Sequence, residues 1–222
     1  FLGLNTGDAT TTGDRLTLIG TAAGRGVITD DGIGTVAVGY AAYSIGTSGF
    51  GNTVVGYQAL DAETQGSRNT VVGYNALTDQ NGVNGEVHNT AVGYTAGANI
   101  TTGIRNTIVG SESGDAGTTM SGSVFVGQGA GGTVSTGNNN IAIGHEAMHG
   151  GTVTGDNNIA IGADAGDALT SGNKNTAIGY DALGDMTAGT NNIALGYESM
   201  NALQGSDGGF GNYNIAIGTD AM

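Results

Sequence analysis

Along this chain a glycine closes an apolar triplet at Gly20, Gly39, Gly56, Gly73, Gly93, Gly110, Gly127, Gly144, Gly162, Gly179, Gly196 and Gly218. Seven of the eleven intervals are 17 residues and the others run from 18 to 22, while Phe1-Leu2-Gly3 reads as a truncated thirteenth copy. The residue before each glycine is aliphatic, as in Val55, Ile143 and Leu195, and the residue three before it is Thr, Val or Ile. These are strand formers. Between them lies a column of mostly small apolar residues, Ala142, Ala160, Ala177, Ala194 and Ala216 among them. Successive side chains of a strand point to opposite faces, so both faces of this strand are apolar. The pattern predicts that the aliphatic column before the glycine is buried within its own coil. It predicts the middle column on a second face, whose small side chains let other copies of the chain approach closely.

Other columns supply the turns. Three residues after the glycine stands Ala or Ser in every complete copy, as in Ala59, Ala76, Ser113 and Ser199, so that position admits only a small side chain. Seven residues before it another glycine recurs, including Gly49, Gly66, Gly103, Gly137, Gly155, Gly172 and Gly189, which we read as a turn position requiring positive φ. Asn stands four before the glycine in nine copies, Asn52, Asn69, Asn89, Asn106, Asn140, Asn158, Asn175, Asn192 and Asn214. Stacked one above another, these amides can form a hydrogen-bonded ladder. A helix is excluded, since no 3.6-residue stripe survives the recurrent glycines. The reading is therefore all-β, a parallel β-solenoid of about 13 coils occupying residues 1–222 as a single repeat domain. At about 4.8 Å per coil it would form a rod on the order of 60 Å long. The longer copies, near Asp79 to Val87 and Gly205 to Gly209, are expected to be loops at one edge.

Composition narrows the function. The 222 residues include 45 Gly and no Pro, Trp or Cys, so disulfides cannot contribute and stability has to come from stacking or assembly. A formal charge of −14 repels nucleic acid and anionic lipid, and no apolar run approaches the ~18 residues of a membrane span. The first residue is not Met and both ends fall inside a repeat, which we take as the mark of a segment of a longer fibre protein.

Several motifs look chemical. His145-Glu146-Ala147-Met148-His149 matches H-E-x-x-H, but it keeps register with the repeat, and in extended chain its histidines stand too far apart to share one zinc ion. Gly127-Gln128-Gly129-Ala130-Gly131-Gly132 satisfies G-x-G-x-x-G without a helix to follow. Glu112, Glu146, Asp164, Asp181, Glu198 and Asp220 share the second position after the glycine, a solvated acidic column rather than a row of dedicated Ca²⁺ sites. Arg15, Arg68, Arg105 and Lys174 share the fifth position before it, where carboxylates of a neighbouring coil or chain are expected opposite them. Tyr40, Tyr57, Tyr74, Tyr94, Tyr180 and Tyr197 directly follow it, a stripe that seals an edge of the core or stacks on sugars, sealing being preferred. No residue is assigned to catalysis, to a cofactor or to a metal, and the chain is not expected to be an enzyme.

The units Asn52-Thr53-Val54-Val55-Gly56-Tyr57-Gln58-Ala59-Leu60 and Asn175-Thr176-Ala177-Ile178-Gly179-Tyr180-Asp181-Ala182-Leu183 resemble the head repeats of trimeric autotransporter adhesins. They are closer still to the N-T-A-I-G-Y-x-A-L arrays of phage tail fibres and bacterial surface fibres, because the adhesin repeat is usually shorter. The resemblance implies a left-handed β-roll, three chains about one axis, and display outside a cell or on a virion. It implies a structural or adhesive fibre whose partners are its own copies and a host-surface glycan or receptor, with no nucleic acid and no membrane insertion. The cell-surface adhesin head is the alternative to a tail fibre. An ice-binding solenoid is more distant, because its Thr array has to be exposed and this Thr column, exchanging with Val and Ile, reads as buried. A polysaccharide-cleaving solenoid built on paired carboxylates such as Asp164 and Asp181 is more distant too.

Overall fold

The structure is a computed structural model that describes residues 2–10, 14–26, 28, 33–201 and 211–222. Each apolar triplet forms a three-residue strand: β1 (Thr17–Ile19), β2 (Val36–Val38), β3 (Thr53–Val55), β5 (Thr70–Val72), β7 (Thr90–Val92), β8 (Thr107–Val109), β9 (Val124–Val126), β10 (Ile141–Ile143), β11 (Ile159–Ile161), β12 (Thr176–Ile178), β13 (Ile193–Leu195) and β14 (Ile215–Ile217). They stack in chain order as one parallel twelve-stranded sheet, each residue paired with its equivalent one coil on, Ala142 with Ala160 for example. The first copy adds only a bridge from Leu2 to Ile19, so the sheet has twelve strands where the sequence suggested thirteen. A second, two-stranded parallel pairing joins β4 (Gly66–Ser67) to β6 (Gly85–Glu86). The long copy around Asp79 to Val87 is thus tied into the stack through β6, while the one at Gly205 to Gly209 lies outside the described residues.

Burial inverts the expected faces. The middle residue of every strand points into the coil and is buried, from Leu18 through Val54, Ile108 and Phe125 to Ala216. The columns on either side point outward, with Ile19, Val72, Val126, Ile143, Ile178, Ile193, Ile215 and Ile217 exposed. The inward column is Ala in seven of the twelve strands, as suits the narrow interior of a 17-residue coil, and the Thr, Val, Ile and Leu columns on either side remain for the outer face. The Ala or Ser three after the glycine, a position that admits only a small side chain, is internal, Ala59, Ala76, Ala147 and Ser113 being buried.

Core volume is balanced between neighbouring positions. A Cβ on Gly131 would lie 2.6 Å from the Phe125 ring, and one on Gly97 about 3.0 Å from the side chains of Leu77 and Ile108. Where the fourth residue after the closing glycine is large, as with Leu60, Leu77, Met148 and Leu183, it fills the interior itself. Where it is Gly97 or Gly166, Ile100 or Leu169 three residues later fills the space. Other copies fill both positions, Leu183 with Met186 and Leu60 with Glu63, so the interior widens and narrows along the stack.

Three ladders tie coil to coil. The buried Asn column accepts the backbone N–H of its own successor: Asn69 to Asn52 Oδ1 at 2.9 Å, Asn106 to Asn89 at 2.8 Å, Asn158 to Asn140 at 2.8 Å and Asn175 to Asn158 at 3.0 Å. The same side chains donate through Nδ2 to a carbonyl of the next coil, Asn158 to Gly172 O at 2.7 Å and Asn140 to Gly155 O at 2.8 Å. At one position Ser123 replaces Asn and its Oγ accepts the N–H of Asn140 at 3.2 Å, preserving the chain of bonds. Two further ladders had no signal strong enough to single out in the sequence. Thr47, Thr101, Thr118 and Thr170 donate their hydroxyls to carbonyls one coil on, and Ser67, Ser121, Asn138, Asp156 and Asn173 accept the amide of the coil before.

The turn chemistry also differs from expectation. The glycines seven before the closing glycine are absent from the positive-φ set. A Cβ on Gly155 would instead run into the carbonyl of Gly172, so that column is glycine because neighbouring coils touch backbone to backbone there. The left-handed turns fall elsewhere and are shared by glycines such as Gly51, Gly122 and Gly129 with non-glycine residues, Glu146, Asp164 and Asp181 after the closing glycine and Arg68, Arg105 and Lys174 before it, whose φ lies between 49° and 63°. Each such residue costs on the order of 1 kcal/mol, which the ladders have to offset.

Replacing Asn158 with Ala is expected to strand the buried Asn175 amide and Gly172 carbonyl and to destabilise the coil stack by roughly 3 kcal/mol. Asn99, exposed and bonded once to Asp115 O, should lose less than about 1 kcal/mol on the same change. Urea unfolding of both variants checks this, and equal losses would remove the ladder from its central place.

Candidate functional site

The outward face of the sheet carries two aliphatic or Thr columns side by side along the whole stack, from Thr17 and Ile19 to Ile215 and Ile217. Its residues are exposed or half-buried in every strand, reaching 69% exposure at Ile217. Beside it run the tyrosines, and they do not seal the core: Tyr40, Tyr57, Tyr74, Tyr94, Tyr180 and Tyr197 are 41–52% exposed. Parallel stacking at coil spacing puts ring on ring, with centroids 5.1, 5.0 and 5.5 Å apart from Tyr40 to Tyr94 and 5.3 Å from Tyr180 to Tyr197. A contiguous apolar surface of this extent is rare on a free-standing soluble chain.

The motifs separate. His145 and Glu146 sit in a turn rather than a helix, and the donor atoms that come within 4.8 Å of one another are those of His145, Glu146 and Asp164, from two coils, without His149. All three are solvent-facing, and His145 Nε2 is 3.8 Å from Glu146 Oε1. The Gly127 to Gly132 segment is likewise a turn, followed by buried Val134 and not by a helix. Of the basic column, Arg68 finds the expected carboxylate, Glu86 of the next coil, which also contacts His88 at 3.2 Å. No other ion pair forms in that column among the described residues. Among those residues too, no helix is long and apolar enough to cross a membrane.

Acids along this edge are partly buried and feel one another's charge. Burial first, and then the charges of Asp181, Asp164 and Asp185, push the Asp167 carboxyl above the usual range. Burial and Glu112 do the same to Asp115, while Asp181 is raised by burial and by neighbouring acids although it accepts Asn201 Nδ2 at 2.8 Å.

A buried acid escaped the sequence reading. Glu63 occupies the interior position held elsewhere by Ile100, Val134, Leu169 and Met186, and it is fully buried. Its Oε1 accepts the N–H groups of Thr64, Gln65 and Gly66 at 2.8, 3.0 and 2.8 Å, while Oε2 has no partner. Beside it the Tyr43 hydroxyl is held protonated by burial and by the Glu63 charge. Burial raises the Glu63 carboxyl despite its three amide donors. A lone Glu between apolar columns was visible, but only the register of the coil shows that it points inward.

A carboxyl raised in the folded state binds protons more tightly there, so its stabilisation is complete below the unfolded value near 4.5 and is lost as pH rises through the folded value. Glu63→Met is therefore expected to raise the urea midpoint more at pH 7 than at pH 4. A difference independent of pH would show that Glu63 titrates as it does in the unfolded chain.

Compared with known proteins, the chain matches no protein-family model, no curated protein and no solved structure.

Proposed function

We propose that the chain is a structural, adhesive segment of an extracellular fibre, in which three copies pack their outward β-faces about a common axis and present an attachment surface. The observation that carries this reading is the unbroken pair of aliphatic and Thr columns on the outer face of the twelve-stranded sheet. Burying such a face between copies recovers about 25 cal/mol for each Å² removed from water, and the side chains are already ordered by the sheet. The number three, and display on a phage tail or a bacterial surface, come from the likeness of the Asn-Thr-Ala-Ile-Gly-Tyr units to fibre and adhesin repeats. The tail fibre is preferred to the adhesin head on repeat length.

A second reading gains from the inverted faces. Thr53, Thr70, Thr90 and Thr107 stack in register on the outer face, where an ice-binding array would need them. The adjoining column is Val55, Val72, Val92 and Val109, without hydroxyls, which favours protein contact.

The chain is expected to sediment and scatter light as a trimer. Val126→Lys combined with Ile143→Lys would place uncompensated charge in the shared face and should release folded monomers with unchanged circular dichroism. A folded wild-type monomer, or thermal hysteresis in its solutions, would defeat the fibre reading.

A further inference from the structure

Sugar recognition needs an aromatic face left bare and, around it, neutral donors and acceptors without partners of their own. The tyrosine ladder fails the first condition, because its rings cover one another at 5.0–5.5 Å. A different edge of the solenoid presents a half-buried Phe50 ring, with the Arg68 guanidinium over it, beside side-chain amides that have no partners among the described residues. There Ile33, Ser48, Phe50, Gln65, Ser67 and Asn84 line an open groove of about 550 Å³, room for one or two sugar units.

The groove arises from two departures from the repeat. Phe50 is an aromatic residue in a column that elsewhere carries polar residues such as Ser67, Ser121, Asn138, Asp156 and Asn173 or the aliphatic Ile33, Val87 and Ile104. The copy between Gly73 and Gly93 is 20 residues long, and its added chain brings Asn84 and Gly85 to the groove, where β6 pairs with β4. Phe50 is held in place: its N–H donates to Ser67 Oγ at 3.1 Å, and the Arg68 guanidinium, anchored by Glu86, lies 5.2 Å from the ring centroid. The side-chain amides of Gln65 and Asn84 are exposed and make no hydrogen bond among the described residues. None of the lining residues is charged, and none belongs to the outward apolar face, so the groove remains open when that face is covered.

We propose that this groove is a binding subsite for a neutral oligosaccharide, with the Phe50 ring against the C–H face of one sugar and the Gln65 and Asn84 amides on its hydroxyls. The formal charge of −14 selects against sulfated or sialylated chains. The biological sense of the site rests on the adhesive-fibre reading, although its chemistry does not.

Calorimetry and saturation-transfer NMR on the whole chain, with maltotriose, cellotriose and chitotriose as probes and a heparin tetrasaccharide as the anionic comparison, test it. At least one neutral probe should bind saturably, with affinity falling about tenfold in each of Phe50→Ala and Asn84→Ala and holding in Tyr74→Ala. Asn84 is exposed, so its variant stays informative if Phe50→Ala fails to fold. No saturable binding of any neutral probe, tighter binding of heparin, or undiminished affinity in Asn84→Ala and Gln65→Ala would overturn the proposal. A trimer that binds no sugar would defeat this inference and leave the fibre intact, whereas a sugar-binding monomer would do the reverse.

Discussion

A buried asparagine that accepts the backbone amide of its own counterpart one coil later is the bond on which this architecture depends. It fixes register, because a slip of one residue would leave both the Oδ1 and the Nδ2 of every Asn from Asn52 to Asn192 without partners in the dry interior. The requirement extends to its neighbours. Carbonyls such as those of Gly155 and Gly172 receive the Nδ2 where the backbones of adjacent coils touch, which favours glycine there, although Met120 holds the same position and its carbonyl still accepts Asn106 Nδ2 at 2.9 Å. The left-handed turns at Glu146, Asp164 and Lys174 complete a circuit that the ladder has already closed.

The same tight coil explains the outer face. With the middle residue of each triplet turned inward, from Ala142 and Ala177 to Ile108 and Phe125, the two flanking residues stay outside. Two apolar faces in the sequence therefore become a core and an apolar outer surface.

The period, the strands and the Asn ladder were legible because each recurs at one spacing and has a single physical purpose. Which face points inward was not. Alternation in Thr176-Ala177-Ile178 is symmetric about its centre, and only the radius of the closed coil decides that Ala177 goes inside. The glycine columns misled for a related reason: the sequence of Gly155 is compatible with positive φ and with close backbone approach, and only the neighbouring coil discriminates. Phe50, Gln65 and Asn84 had no periodic signal, since the groove exists where the repeat is broken.

The direction of the ladders has a mechanical corollary. Strand-to-strand hydrogen bonds lie across the strands, which here means along the rod. A tensile load on the rod therefore pulls on those bonds lengthwise, and opening a junction such as that between β12 and β13 means breaking its strand pairing, its Asn bond and its Thr bond together. The rod is built so that its weakest junction, and not its average one, sets the force it can bear.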